Sequence, residues 1–383
     1  MYSILETRFR EYVDFSCCFC KPRALICEHW LPWMTENGGE RRKKIALPWA
    51  VRLQVMALTT ACDLAQRRDG TVNRFLFSLV DRRARATSRP DAAHGVSSAD
   101  VTIDGARAAK GLWARVFSPP SPPAAPLPVV VYFHGGGFTL LSAASAPMDA
   151  LCRRLARALG AVVVSVDYRL APEHPYPAAY DDGEDVLGYL AATNAASLPA
   201  PVDLSRCFLA GDSAGGNIAH HVAHRWTSDD PNNPNPKHVV QLAGIILLQP
   251  YFGGEERTGS EISLEGVAPV VNMRRSDWSW KAFLPLGADR NHEAAHVTGE
   301  AEPEPKLGES FPPAMVVVGG FDPLKDWQRR YAVMLERKNR NAAVRLVDFP
   351  EAIHGFYMFP KLPEAGEVVE KVRAFIETCT AHH

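Results

Sequence analysis

Gly211-Asp212-Ser213-Ala214-Gly215-Gly216 stands directly after the apolar run Cys207-Phe208-Leu209-Ala210 and directly before the helix-like Asn217-Ile218-Ala219-His220-His221-Val222-Ala223. The order is strand, tight turn, helix, with G-x-S-x-G at the turn. A serine between small residues at such a turn is lifted out of the sheet, with its hydroxyl exposed and a helix N-terminus beneath it. Small neighbours also let the backbone take a strained conformation and let a substrate carbonyl approach closely. The same residues would suit an ordinary turn in which serine only caps a helix. The reading therefore depends on what else the chain supplies.

Outward from this turn, buried strands and helices alternate. Val129-Val130-Val131-Tyr132-Phe133 is a continuous apolar run, as a strand buried on both faces requires. A helix over 146–159 leads to a strand over 161–166, a helix over 181–192 leads to 207–210, and a helix over 215–226 leads to 242–248. Strand 314–318, helix 325–337, strand 344–349 and helix 364–378 complete the series. This alternation predicts an α/β fold with a doubly wound, mostly parallel central sheet flanked by helices. Strands 101–104 and 112–117 alternate as a half-exposed antiparallel pair would, and the proline-rich stretch 118–128 separates them from the first buried strand. Residues 228–238 read as a surface loop and 255–306 as an irregular insertion with helical pieces. No internal repeat is evident.

The 383 residues are 46% hydrophobic and 22% charged, as in an ordinary soluble globular protein. A net charge of −1 steers the chain toward neither nucleic acid nor an anionic membrane. No apolar run approaches the roughly 18–20 residues of a membrane span, and the mixed charges of residues 1–11 interrupt any signal-peptide core. Eight cysteines without a paired framework fit a reducing compartment, so a cytoplasmic location is expected, with the nucleus as a second compartment. Cys17, Cys18, Cys20 and Cys27 cluster without the spacing of a zinc site, and no metal or other cofactor is expected.

Residues 1–46 lack periodicity and end in a polar run over 35–44. They read as a poorly ordered extension, with Met34 starting the functional protein and 1–33 dispensable. From Leu47 the spacing of Val51, Leu53, Val55, Met56, Leu58, Thr59, Cys62 and Leu64 predicts an amphipathic helix, followed after a turn at 68–71 by a second helix or arm through Val80. Residues 47–98 are thus available to lie over a site as a helical cap, with 99–383 as the catalytic domain.

Nucleophilic chemistry by an alcohol needs an activated serine, a base, an acid that orients the base, and donors for a developing oxyanion. Ser213 is the candidate nucleophile. The loop after strand 129–133 reads His134-Gly135-Gly136-Gly137-Phe138. Its glycines leave backbone N–H groups unobstructed, so Gly136, Gly137 and Ala214 are the candidate oxyanion donors. His134 reads as a structural residue that bonds this loop. Asp322 follows the strand over 314–318, at the strand end where α/β sites gather, and is favoured as the acid. Asp326 reads instead as a carboxylate in the first turn of the next helix. Of 13 histidines, His354 alone follows the last strand, and it is the candidate base. His220, His221 and His224 read as packing or surface residues of the helix after Ser213. His174, His238, His292 and His296 read as loop residues without partners. The chain order Ser, Asp, His is that of α/β hydrolases.

His134–Phe138, Asp167-Tyr168-Arg169-Leu170-Ala171-Pro172-Glu173, Tyr180-Asp181-Asp182-Gly183, Gly211–Asn217, Asp322-Pro323-Leu324-Lys325-Asp326 and His354-Gly355-Phe356 together resemble the hormone-sensitive-lipase-like branch of α/β hydrolases, from about Leu47 to the C-terminus. Residues 67–74 and 253–258 make the chain most similar to plant carboxylesterases. The resemblance implies an N-terminal helical cap, hydrolysis of small carboxylic esters through an acyl-enzyme, and a bracing role for Asp167–Glu173 beneath the site. Soluble gibberellin receptors belong to the same branch and bind a hormone without catalysis. The resemblance implies an aliphatic residue in those receptors where this chain has His354. It also implies that their ligand-contacting Asp-Arg pair and tyrosine correspond to Arg275, Ser276 and Ser279 here.

The expectation is a carboxylesterase acting through Ser213, His354 and Asp322 on a small-molecule ester. The pocket wall is expected to include Phe138 and parts of 47–80. The oligomeric state is left open, and a hormone receptor on the same fold is the alternative.

Overall fold

The apolar run at 129–133 lies in the middle of a single sheet in a computed structural model of the chain, which describes residues 45–103, 111–120, 125–230, 233, 235–298, 307–308, 310–338 and 343–381. The expected extension over 1–46, with its cysteine cluster and Met34, falls outside the described residues except for Ile45 and Ala46.

The described chain opens with helices α1 (Trp49–Ala65) and α2 (Arg74–Ser78). In α1, Val51, Val55 and Thr59 recur every four residues and are buried, whereas Leu53, Met56 and Leu64 on the opposite side are exposed. Strands β1 (Ser97–Thr102), β2 (Trp113–Ser118), β3 (Leu127–Phe133), β4 (Val162–Asp167), β5 (Val202–Asp212), β6 (Leu242–Leu248), β7 (Ala314–Phe321) and β8 (Val344–Ile353) pair in the order β1-β2-β4-β3-β5-β6-β7-β8. β1 and β2 run antiparallel, as do β2 and β4, and every pairing from β4 to β8 is parallel. Helices α3 (Ala146–Leu159), α4 (Ala178–Thr193), α5 (Ala214–Trp226), α6 (Gly259–Leu264), α7 (Met273–Phe283), α8 (Lys325–Lys338) and α9 (Pro363–Thr380) are interleaved. α3 carries its boundaries in its sequence, with Pro147 in the first turn and Gly160 in the left-handed conformation at φ 56° just past its end.

Successive side chains of a strand point to opposite faces. In β3, Val129, Val131 and Phe133 join a core with Leu209, Leu247, Val316 and side chains of α4 and α5, while Val130 and Tyr132 join a second core with Phe208, Ile246, Val317 and side chains of α3 and α9. Both faces are therefore covered. That is why these strands read as unbroken apolar runs.

β1 and β2 form the expected antiparallel pair, but β2 is not half-exposed. It lies between β1 and β4, and Ala114 to Ser118 are all buried. The polar residue in its middle, Arg115, is 3% exposed and is neutralised by Asp100 on β1 and Asp149 on α3. β5 starts five residues before the expected run and ends at Asp212, and β8 extends to Ile353. The helical pieces of the 255–306 insertion are α6 and α7. Because β3, β5, β7 and β8 all point the same way, the segments after them open on one edge of the sheet.

Candidate active site

Between the last residue of β5, Asp212, and the first of α5, Ala214, Ser213 stands alone at φ 53° and ψ −117°. An L-residue held there stores roughly 1–3 kcal/mol of backbone strain unless the surroundings fix it. They do. Ser213 N donates to Leu248 O at 2.9 Å, and Ser213 O accepts from the N–H groups of Gly216, Asn217 and Tyr251 at 3.0, 3.2 and 2.8 Å. The small residues of the motif are required by contact. A Cβ on Gly215 would overlap the carbonyl of Phe133 in β3, so only glycine lets α5 start this close to the sheet.

At the end of β7, Asp322 is fully buried and accepts three hydrogen bonds. Leu324 N reaches Oδ1 at 3.0 Å, while Gln328 Nε2 and His354 Nδ1 reach Oδ2 at 2.9 and 2.8 Å. His354 comes directly after β8 and is 5% exposed. Asp326 is one turn farther on, in the first turn of α8, where its Oδ2 accepts from Ser260 N at 2.7 Å and secures the start of α6. The two aspartates are thus separated by partner: one faces the histidine and the other joins two helices.

The loop after β3 folds back on itself, with Gly136 O accepting from the N–H groups of Thr139 and Leu140. Gly136 has φ +107°, and a Cβ there would overlap the carbonyl of Leu140. Gly135 N is already committed to Asp212 Oδ1 at 2.9 Å. A cavity of about 120 Å³ opens beside these groups. Its wall includes Gly136, Gly137, Ser213 and His354 from the strand ends, and Leu58, Thr59, Cys62, Gln66 and Phe77 from the α1–α2 segment. Ala214 lies behind Ser213 with no exposed surface, as the first residue of α5.

Phe138 is not on this wall, contrary to the expectation from its place in the loop. Its ring stacks on Phe283 at 3.7 Å and packs near Trp280 and Tyr251, so it is 1% exposed behind the loop. With φ 62°, its backbone turns the side chain into that aromatic cluster.

These features have counterparts in known proteins. The profile of the alpha/beta hydrolase fold family matches residues 130–358. The chain is 40% identical to the gibberellin receptor GID1C of Arabidopsis thaliana over 347 residues, which cover 87% of this chain and 95% of the receptor. It is 36% identical to carboxylesterase 20 of Arabidopsis thaliana over 286 residues, covering 72% of this chain and 84% of that one. Among solved structures, the esterase of Pyrobaculum calidifontis superposes with a TM-score of 0.63 at 28% identity, over 89% of this chain and 95% of its own. The chain is an α/β hydrolase by family.

In this hydrolase the residues behind the first contacts come from distant segments. Asp212, the variable position before the motif serine, accepts from Tyr132 OH at 2.7 Å as well as from Gly135 N, and so ties the glycine loop to the elbow. Burial pushes its carboxyl up to about 6. Gln249, at the end of β6, accepts from Gly355 N at 2.8 Å and donates to Ile353 O at 3.3 Å, bracketing His354. Neither Gln249 nor Gln328 was expected from the sequence. The available signal was a polar residue ending the apolar run 242–248.

His134 is buried, stacks on Tyr168 at 4.3 Å and bonds Gly135 O through Nδ1, and burial lowers its pKa, so it stays neutral. The 167–173 segment bonds the glycine loop at two points and its surroundings at two more. Asp167 accepts from Ala143 N, Tyr168 OH donates to His134 O, Ala171 N donates to Phe138 O, and Glu173 pairs with Arg74 of α2. His220 bonds Tyr331 OH and His221 faces Ala294 O, so both are packing residues. His292 and His296 also have partners: His292 Nδ1 accepts from Ala294 N, and His296 packs on Trp327. Among the described residues, no group of three or more His, Cys, Asp or Glu is placed to hold a metal, and no helix is long and apolar enough to cross a membrane.

Proposed function

We propose that this α/β hydrolase is a carboxylesterase that cleaves small carboxylic esters through an acyl-enzyme. The observation that carries the proposal is the 2.8 Å contact of His354 Nδ1 with the buried Asp322 carboxylate, beside a cavity that Ser213 also lines. With Nδ1–H held by Asp322, the other ring nitrogen, Nε2, is the basic one. In the proposed reaction His354 takes the Ser213 hydroxyl proton as Oγ attacks the ester carbonyl. Asp322 fixes the tautomer and stabilises the imidazolium. The N–H groups of Gly136, Gly137 and Ala214 take the charge on the carbonyl oxygen. His354 protonates the leaving alkoxide, then activates the water that releases the acid and regenerates Ser213. The α1–α2 segment caps the pocket, and no cofactor enters the scheme.

Two further points support this reading. The elbow strain at Ser213 is the feature that presents a nucleophile, and both a plant carboxylesterase and a solved esterase align over most of the chain. The test is turnover of p-nitrophenyl acetate and butyrate by the protein and by its Ser213→Ala variant. Ser213-dependent turnover is expected, and a folded protein without it would reject the enzyme reading.

The 40% identity to a gibberellin receptor favours a second reading, a binding protein on the same fold. Against it stands a complete Asp322–His354 pair, which binding alone does not need. Calorimetric titration with a gibberellin separates the two, since micromolar or tighter binding without turnover would favour the receptor.

A further inference from the structure

Arg275 is the one cation on the wall of the cavity among the described residues, and its charge is already taken. It belongs to α7, and its partner Asp63 belongs to α1, 212 positions away. The pair is bidentate, with Nε to Oδ1 and Nη2 to Oδ2 both at 2.7 Å. Nη1 donates to the carbonyls of Pro269 and Val270, each at 3.1 Å. The Arg275 side chain is 12% exposed and that of Asp63 28%. Arg274 also donates to Asp63, but it is 65% exposed and its charge is solvated. The wall that Arg275 shares carries the apolar Leu58, Val270, Val271, Tyr357 and Met358 and, from the α1 and α7 segments, the uncharged polar Thr59, Gln66, Ser276 and Ser279. The neighbouring Cys62 thiol is pushed up to about 12 by burial and is uncharged.

We infer that Asp63 sets the charge selectivity of the site: by neutralising Arg275 it makes the α1–α7 side of the cavity accept an uncharged, apolar ester group and refuse a carboxylated one. The inference rests on the esterase reading for its substrate, though not for the electrostatics of the cavity. The physical reason is competition. An incoming carboxylate must leave water and meets a guanidinium whose fork is already filled by a fixed carboxylate. Without a free cation, the desolvation of that carboxylate is not compensated. An uncharged chain has no such penalty and gains from the apolar part of the wall. A purely structural tie between α1 and α7 would contribute stability but would not discriminate substrates by charge.

The test uses the full chain and two esters of equal length, p-nitrophenyl pentanoate and mono-p-nitrophenyl glutarate, which differ in a terminal carboxylate. Wild type is expected to prefer the pentanoate. In Asp63→Asn, Arg275 is left without its counter-charge, and the pentanoate-to-glutarate ratio of kcat/KM is expected to fall by about tenfold, as for a partly screened charge pair in a half-buried site. The change should lie mainly in KM for the glutarate. The double variant Asp63→Asn/Arg275→Gln removes both charges and is expected to restore the wild-type ratio. Thermal melts establish that each variant is folded. A folded Asp63→Asn protein with an unchanged ratio overturns the inference, as does a double variant that keeps the altered ratio.

The same selectivity is read without chemistry in the Ser213→Ala background, by displacing the uncharged dye Nile red with methyl pentanoate or monomethyl glutarate. If neither ester is hydrolysed by wild type, the enzyme reading fails. The displacement ratios still decide this inference, with a shift on Asp63→Asn upholding it and no shift overturning it.

Discussion

Replacing Asp322 by asparagine should abolish most of the activity while leaving the fold nearly intact, for reasons that are local. The carboxylate accepts from Leu324 N through Oδ1, and from His354 and Gln328 through Oδ2. An asparagine can keep only one acceptor. If its oxygen stays on Leu324 N, its NH2 faces His354 Nδ1 and the Gln328 amide. Gln328 Oε1 is buried and has no hydrogen-bond partner among the described residues. A flip of the Gln328 amide would present that oxygen to the new NH2, but it gives up the bond from Nε2 to Pro250 O and leaves the Gln328 NH2 where Oε1 had found no partner. The asparagine then donates to Nδ1, which drives the imidazole proton to Nε2 and removes the base proposed for Ser213.

The expected loss in kcat/KM is about 10³–10⁴, by analogy with other triads, equivalent to roughly 4–5 kcal/mol of transition-state stabilisation. The stability loss should be about 1–3 kcal/mol, since the flipped Gln328 NH2 is left buried without an acceptor. The assay is p-nitrophenyl ester turnover at neutral pH, with urea unfolding alongside. A folded Asp322→Asn protein within tenfold of wild type would refute the reasoning. Asp326→Asn is the matched control: its carboxylate secures Ser260 rather than His354, so turnover should stay within a few-fold.

Other perturbations test the supports of the site. Gly136→Ala places a Cβ against the Leu140 carbonyl at a backbone φ of +107°, and should lower kcat by about 10²–10³ through loss of oxyanion donors. Single-turnover acylation kinetics would show whether the loss falls on that step. Asp212 has a folded pKa of about 6 against an ordinary 3.8, so the folded state holds the proton to higher pH and stability falls as pH rises through that window. The loss by pH 7 is on the order of a few kcal/mol. Asp212→Asn should flatten the stability profile between pH 4 and 6 in urea melts, and an unchanged slope would assign the titration elsewhere. Arg74→Ala removes bonds from α2 to Thr139 O, Ala171 O and Glu173. It should cost about 1–2 kcal/mol and speed hydrogen exchange in residues 49–78 more than in the sheet.

The parts of the fold and site that were legible in the sequence sit at fixed offsets from strong apolar runs. Ser213 and Asp322 follow β5 and β7, whose C-terminal halves are buried on both faces, and such strands betray themselves by composition alone. His354 follows the edge strand β8, which is largely exposed and was placed by its position as the last strand before the final helix. What the sequence hid is long-range. The Asp212–Gly135 bond spans 77 positions, Gln249–Gly355 spans 106, and Asp63–Arg275 spans 212. Periodicity reports which side of an element is apolar, not which element covers it. β2 was therefore read as half-exposed, because nothing in its own residues reveals that Asp100 and Asp149 neutralise Arg115. Phe138 misled for a related reason: its place after the glycines suggested a pocket wall, but its backbone angle turns the ring away. Arg275 stands where the resemblance puts a ligand-contacting residue of the receptors, and in the fold it pairs with Asp63.

Overall identity is a weak guide to whether this chain catalyses. The receptor and the carboxylesterase differ from it to similar extents, at 40% and 36% identity, and one fold can serve either function. The informative residues are those whose retention is costly for a protein that only binds. A strained serine elbow stores backbone energy, but a binding protein on the same fold can carry that elbow unchanged. The Asp322–His354 pair is different. It keeps a fully buried carboxylate, which is stable only because Leu324 N, Gln328 and His354 all donate to it, and Gln328 leaves its own oxygen unpartnered among the described residues in doing so. A leucine or valine in place of His354 alone would leave the Asp322 carboxylate buried with one partner fewer, whereas apolar residues at both positions would let the region close without a buried charge. Stability alone therefore favours losing the pair as a whole, and the proposed catalysis would account for keeping it.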